Sequence, residues 1–224
     1  MAEGWEVWSS YRPSDFLMFA PRTYWRLVGL HNAQAWPLHL LVLLAGSAVG
    51  WGLWCNKHWA PRALLVLLAA AWAAVAWGWH FERYAAINPT ARWFAAGFAL
   101  QATLWLLAAV LLPQGKLPPS AQRVAAAGLF AALLAYPLLG LGLGRPLIES
   151  EWLALAADPT LLASLGSLLL ARRIWLWPLP LLWCVVSGLT LWTMGELLQA
   201  WLLPAAALAT IGLAVGRRSA GRSA

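Results

Sequence analysis

The chain consists of apolar runs long enough to span a lipid bilayer, separated by short polar connections. A helix needs about 20 apolar residues to cross the hydrocarbon core. The runs are continuous in Leu, Ala and Val, without the alternation of period two that a β-barrel requires. Because a helix satisfies its own backbone hydrogen bonds inside lipid, the sequence predicts an all-α protein, a polytopic transmembrane helix bundle.

Composition agrees with this class. Hydrophobic residues make up 62% of the 224 and charged residues only 10%, with a mean hydropathy of +0.68. A soluble domain carries about 25% charged residues. The net charge is +7, but the basic residues are dispersed at the ends of apolar runs instead of clustering on one face. Such dispersion is typical of membrane topology signals. We therefore expect the lipid bilayer, and no nucleic acid, as a partner.

The apolar runs predict about seven membrane-spanning helices, of which the fifth is short. The fifth begins at Asp158-Pro159-Thr160, with Asp158 as the N-cap and Pro159 at the first helical position, and it ends before Arg172. It is either a half-helix or is completed by the preceding residues 152–157. The predicted spans cover residues 36–54, 63–79, 93–112, 124–140, 158–171, 174–193 and 197–215.

The segment before the first span is amphipathic. We predict an N-terminal interfacial helix that begins at Phe16, is capped by Ser14 and Asp15, and is broken at Pro21. The predicted organisation is a tail with this interfacial helix in residues 1–35, the helix bundle in residues 36–216, and a basic cytoplasmic tail in residues 217–224.

Every acidic residue falls on one side of the membrane if the chain crosses seven times. That side carries six basic residues against eight acids, and the other carries nine basic residues against none. The positive-inside rule then places the N-terminus outside and the C-terminus in the cytoplasm. If the fifth helix did not cross, Glu196 and the C-terminal arginines would exchange sides and the asymmetry would vanish. The acids are Glu3, Glu6, Asp15, Glu82, Glu149, Glu151, Asp158 and Glu196.

The chain contains 18 tryptophans, most of them near predicted span ends, as in the aromatic belts of membrane proteins. Trp72, Trp105 and Trp183 lie deeper, where a buried indole N–H needs a hydrogen-bond acceptor. Belts and packing account for this pattern, and an aromatic cage around a ligand is the alternative.

The densest polar segment, His80–Asn88, follows the second predicted span. His80 and Tyr84 are four residues apart and share a helix face. Ionisable groups at membrane depth indicate functional sites, so we predict one outward-facing site. An interfacial ion-pair cluster, with Asp158 acting only as a helix cap, is the structural alternative. The candidate ligand-binding residues are His39, His80, Glu82, Arg83, Tyr84, Asn88, Asp158, Thr160 and Glu196.

Two histidines with carboxylates are also a donor set for a divalent metal or a proton relay. The spacing, however, supplies no His-x₃-His, Cys-x₂-Cys or HExxH motif, so the sequence leaves any metal or other cofactor unknown. It also lacks a GxSxG or Walker A motif and has no loop large enough for a soluble catalytic domain. We expect no enzymatic activity.

Three segments are informative by their resemblance to other proteins: SDFLMFAPRTYWRL at residues 14–27, RYAAIN at residues 83–88, and the run from Asp158 to Leu170. They resemble a group of bacterial multi-pass membrane proteins of unknown function, some of which are labelled MFS transporter permease. Where that group tends to have Cys-Pro-Thr-Thr, this chain has Asp158 first and Leu161 last. The resemblance implies a multi-pass protein of the bacterial inner membrane and brings no established activity.

We expect an integral membrane protein that binds or transports a small solute or ion. The alternative is a non-transporting accessory, sensory or assembly subunit of a membrane complex. A transporter should keep several polar residues facing one continuous cavity, whereas an accessory subunit should show an apolar lateral groove. A membrane-protein partner or a homo-oligomer is compatible with either.

Overall fold

The structure is a computed structural model that describes residues 18–111 and 117–220. The regular elements in this part are all helical, as the sequence predicts. Eight helices follow one another: α1 (Pro21–Ala35), α2 (Leu38–Trp54), α3 (Ala60–Ala86), α4 (Ala91–Val110), α5 (Pro119–Gly142), α6 (Ala157–Ala171), α7 (Ile174–Thr193) and α8 (Leu197–Ala220).

Five of the helices, α3, α4, α5, α7 and α8, are long and apolar enough to cross a membrane. Helices α1 and α2 pass the same test only together, and they are bent by 84° at their junction. Helix α6 is apolar but has 15 residues, about 22 Å of rise against a hydrocarbon core of about 30 Å. By length and composition, the described chain therefore has five candidate spans, or six if the bent pair counts as one.

The N-terminal helix differs from its predicted position. Helix α1 begins at Pro21 and continues to Ala35, so the proline starts the helix instead of breaking it. Proline suits a first helical turn because its missing N–H has no partner there in any case. The predicted cap at Ser14 and Asp15 and the predicted start at Phe16 lie outside the described residues.

The second predicted span ends too early at residue 79, and the predicted loop from His80 is wrong at its start. Helix α3 continues through Val75–Phe81 as a π-helical turn and closes with a 3₁₀ turn at Tyr84–Ala86. A π-helical turn has hydrogen bonds that span five residues instead of the four of an α-helix, and it is frequent at functional sites. It brings His80 into the protein interior, where the side chain is 0% exposed.

Helix α6 is the centre of the bundle. It packs against α3, α5, α7 and α8, and all its residues except Leu162 are buried. The approach to α5 is close enough that a Cβ on Gly166 would lie 2.8 Å from the Val124 carbonyl oxygen. Asp158 is the second residue of this helix, and the N-cap is Ala156, which corrects the predicted cap position.

The chain connections gather at two ends of the bundle. At one end, the Arg62 Nε donates to the Ala109 carbonyl oxygen, and the Arg173 Nη2 donates to the Leu111 carbonyl oxygen. At the other end lie α1 and the connections after α3, α5 and α7. Helix α1 is fixed there by Asn32, whose Nδ2 donates to the carbonyl oxygens of Ile148 at 2.8 Å and Ser150 at 2.7 Å. All acids in the described residues belong to this second end.

Candidate functional site

Asp158 accepts three hydrogen bonds from two other helices. The Trp183 Nε1 donates to Oδ1 at 3.0 Å, the Ser187 hydroxyl to Oδ2 at 2.6 Å, and the Tyr136 hydroxyl to Oδ2 at 3.2 Å. Trp183 and Ser187 are four residues apart on α7 and therefore share a face. The Asp158 side chain is buried, and an indole N–H can only donate. This donor set matches an ionised carboxylate.

A second buried carboxylate, Glu151, lies in the connection between α5 and α6. The Tyr24 hydroxyl donates to its Oε1 at 2.9 Å, while its buried Oε2 has no hydrogen-bond partner among the described residues. Burial first, and the negative charge of Asp158 second, raise the pKa of Glu151 to about 8, against the opposing hydrogen bond from Tyr24. Glu151 is therefore the acid of this region that holds a proton at neutral pH.

A third carboxylate, Glu196, is neutralised within the protein. The Arg145 Nη1 lies 3.0 Å from the Glu196 Oε1. The Trp25 Nε1 donates to the same oxygen at 3.1 Å, and the Arg145 Nη2 donates to the Gln199 Oε1 at 2.6 Å. This cluster joins α1, the connection after α5, and the start of α8.

A small cavity adjoins Asp158. Its volume is about 20 Å³, enough for one water-sized particle. Its walls combine the carboxylate with aromatic rings and hydroxyl-bearing side chains. The lining residues are Tyr24, Trp79, Tyr84, Phe94, Asp158, Trp183, Val186, Ser187, Thr190, Leu191 and Met194.

Met194 separates this cavity from a surface depression of about 570 Å³ beside α1. The depression is lined by residues 18–21 at the start of α1 and residues 193–195 at the turn between α7 and α8. A side chain of Met is flexible and adapts its shape easily. The cavity therefore lies one methionine side chain away from the surface at the end of the bundle that carries the acids.

The structure places three of the predicted site residues around this cavity. Asp158 and Tyr84 both line it. His80 stands behind it, because its ring packs at 5.0 Å from the Trp183 ring and at 4.5 Å from the Phe98 ring. Both nitrogens of His80 are buried without a hydrogen-bond partner among the described residues. Asp158 itself is held by α5 and α7 and not by the His80–Asn88 segment.

Two predicted residues make local backbone contacts instead. The Thr160 hydroxyl accepts from the Ala154 N–H at 3.0 Å and donates to the Ala156 carbonyl oxygen at 2.8 Å, which secures the start of α6. The Asn88 Oδ1 accepts from the Thr90 N–H at 3.1 Å.

The remaining predicted residues lie away from the cavity. Glu196 belongs to the Arg145 cluster, Glu82 is exposed and Arg83 is half-buried. His39 packs its ring edge-on against Trp152 at 5.3 Å. The described residues contain no group of three or more His, Cys, Asp or Glu side chains arranged to hold a metal ion.

Sequence reasoning missed the hydrogen-bond donors to the acids. They are Tyr24, Trp25, Tyr136, Arg145, Trp183 and Ser187. Trp183 carried a usable signal, because a deep indole N–H requires an acceptor. Trp72 obeys the same rule and donates to the Ser164 hydroxyl at 2.8 Å, whereas the buried Trp105 Nε1 has no partner among the described residues.

By length and composition, the apolar helices and their buried polar interior are those of polytopic helical membrane proteins. Residues 22–223 match the family of unknown function DUF6064, so the chain belongs to that family. No curated protein and no solved structure matches the chain.

Proposed function

We propose that the protein is an integral inner-membrane protein that binds and transports a small solute or ion at the cavity beside Asp158. The observation that carries this proposal is a buried carboxylate with no cationic partner among the described residues. An ionisable group at membrane depth is costly and is usually paired within the protein, unless it serves a ligand or a proton.

The membrane topology belongs to the same proposal. The chain crosses seven times, with the N-terminus outside and the C-terminus in the cytoplasm. Two features support this: α6 links the two ends of the bundle, and the acids of the described residues lie at one of them. Arg62 and Arg173 lie at the opposite end, as the positive-inside rule requires of a cytoplasmic face.

The route to the site is also part of the proposal. Helix α6 is too short to cross with both ends at the lipid headgroups, so Asp158 at its N-terminus lies below the outer face. Short or broken helices place their termini beside substrates in other transporters. A solute enters through the depression beside α1 and passes Met194.

The test is electrical and screens several candidate substrates. Purified protein in proteoliposomes is adsorbed on a solid-supported membrane and exposed to sudden increases in the concentration of one candidate at a time. The candidates are H⁺, Na⁺, K⁺, NH₄⁺, amino acids and organic cations. We expect a transient current with at least one of them that Asp158→Asn reduces at least tenfold and Glu149→Gln leaves unchanged. Glu149 lies at the same end outside the cavity. Currents absent for the whole panel would refute transport.

A second candidate function is an accessory subunit, and a groove between α3 and α4 favours it. The groove has a volume of about 780 Å³, and eight of its 14 lining residues are alanines, among them Ala73 and Ala99. Small residues allow transmembrane helices to approach closely. Ala99→Trp would fill the groove and, in this case, would release the protein from a larger complex in native gels. Leu100→Trp, at an exposed position outside the groove, is the control.

A further inference from the structure

We propose that the cavity beside Asp158 binds one monovalent cation of about the size of water, without its hydration shell. This assignment rests on the proposed function and names the class of its ligand. It follows from the charge of the surrounding groups, the volume of the cavity and the chemistry of its walls.

The charges around the cavity leave one negative charge unbalanced. Glu196 is neutralised by Arg145 at 3.0 Å. Asp158 and Glu151 differ in their donors: Asp158 accepts three hydrogen bonds, whereas Glu151 accepts one and has a buried oxygen, Oε2, that is free of partners among the described residues. Hydrogen bonds from donors stabilise the charged form of a carboxylate, so Asp158 keeps its charge and Glu151 keeps the proton. One monovalent cation balances the remaining charge.

The volume limits the ligand to a single small particle. The cavity has a volume of about 20 Å³, and a cavity needs about 10–15 Å³ to hold one water molecule. Sodium, potassium and ammonium ions fit when they are dehydrated, whereas a hydrated ion or a quaternary amine does not. Dehydration is compensated by direct contact with the Asp158 carboxylate and the hydroxyl oxygens of Ser187 and Thr190 at the cavity wall.

The aromatic walls suit a cation and disfavour an anion. The rings of Trp79, Tyr84, Phe94 and Trp183 border the cavity together with Tyr24. The face of an aromatic ring carries a partial negative charge, which attracts a desolvated cation. The Asp158 carboxylate and the aromatic rings therefore both attract a cation.

The geometry disfavours divalent metals. No group of three or more His, Cys, Asp or Glu side chains in the described part of the chain is arranged to hold one. Magnesium also gives up its water reluctantly and keeps an octahedral shell, for which about 20 Å³ is too small.

The experiment measures thermal unfolding of the purified protein in detergent. Chloride salts of Na⁺, K⁺ and NH₄⁺ are titrated from 0 to about 200 mM against N-methylglucamine chloride, so that ionic strength stays constant. A ligand that binds only the folded state raises the melting temperature with saturation. We expect saturable stabilisation by at least one of these ions and none by choline or Mg²⁺. Asp158→Asn should abolish it, and Glu149→Gln should preserve it.

The wild-type titration alone can overturn the assignment, whether or not Asp158→Asn folds. Equal melting temperatures in all salts would overturn it. A response to pH only would also overturn it, because it would indicate that the cavity takes a proton. Stabilisation by an ion that persists in a folded Asp158→Asn variant would likewise contradict the assignment. In each case, currents in the proteoliposome assay with another solute would leave the proposed transport function standing. The loss of both signals would remove both proposals.

Discussion

The guanidinium of Arg145 lies over the indole ring of Trp25, with 3.8 Å between Cζ and the ring centroid. The same indole donates its N–H to Glu196, to which Arg145 is paired. The contact ties helix α1 to the turn between α7 and α8. Arg145, which lies between the Trp25 ring and the Glu196 carboxylate, therefore holds helix α1 against one end of the bundle.

Arg145→Lys should lower the stability of the protein by about 1–3 kcal/mol, even though it keeps the positive charge. A lysine ammonium cannot bind Glu196 and Gln199 with a planar fork while it stacks on Trp25. Thermal unfolding in detergent measures the change. Arg92→Lys, at an exposed position, is the control and should be neutral. An unchanged melting temperature for Arg145→Lys would contradict the role assigned to this cluster.

The stability of the protein should fall as pH rises from about 7 to 8, an interval in which the half-buried His31, whose pKa burial lowers to about 4, is neutral in the folded state and largely neutral in the unfolded state. The pKa of Glu151 is raised in the folded protein from 4.5 to about 8, chiefly by burial. Between these values, the folded state binds a proton on Glu151 that the unfolded state has released, so the contribution of Glu151 to stability is full below pH 4.5 and is lost as pH approaches 8. The slope is about 1.4 kcal/mol per pH unit.

Glu151→Gln is the matched test of that slope, because glutamine retains an acceptor for the Tyr24 hydroxyl and cannot ionise. Melting temperatures measured between pH 7 and 8.5 should decline in the wild type and become much flatter in Glu151→Gln. Glu149→Gln should keep the wild-type decline. A wild-type curve that rises over this interval would contradict the buried, proton-bearing state of Glu151.

Gly166→Ala should destabilise the bundle strongly, by roughly 2 kcal/mol or more. The new Cβ would lie 2.8 Å from the Val124 carbonyl oxygen, and a backbone atom in a helix cannot move away as a side chain can. Gly142→Ala is the control, since a Cβ there meets nothing within 4 Å. Comparable melting temperatures for the two variants would show that α5 and α6 are not packed this closely.

The proposed orientation predicts a cytoplasmic C-terminus. A green fluorescent protein fused after Ala224 should be fluorescent in cells, and alkaline phosphatase fused at the same position should be inactive. The reciprocal pair fused before the first residue should behave oppositely. Active phosphatase at the C-terminus would remove the seven-crossing topology and with it the outward placement of the acids.

The order of the helices could be predicted because apolar runs and helix breakers are local features of the sequence. Pro119 stands in the first turn of α5, Pro178 begins the α-helical part of α7 after its 3₁₀ turn, and Gly195 has a φ of +85° in the turn before α8. The short α6 could be predicted for the same reason, because Pro159 marks its start and Arg172 its end. In the structure, the backbone of Arg172 adopts the left-handed conformation that terminates the helix. The end of α3 could not be predicted in the same way, since the π-helical turn at Val75–Phe81 has no local sequence signal.

The partners of the acids could not be predicted, because they depend on which helices are neighbours. Asp158 contacts Tyr136 and Ser187 across separations of 22 and 29 residues. Glu151 contacts Tyr24 across a separation of 127 residues. An apolar helix in lipid shows no strong difference between its faces, so hydrophobic periodicity does not reveal which side meets a given neighbour.

The burial of α6 has a consequence for how the protein is made. A helix of 15 residues with Asp158 near its start is a poor candidate for stable insertion on its own, since the charge opposes entry into lipid. Its surroundings include α8, which is synthesised after it. The core therefore closes only after α8 has been synthesised, and chains that stop before Leu197 should be recognised as unassembled and degraded.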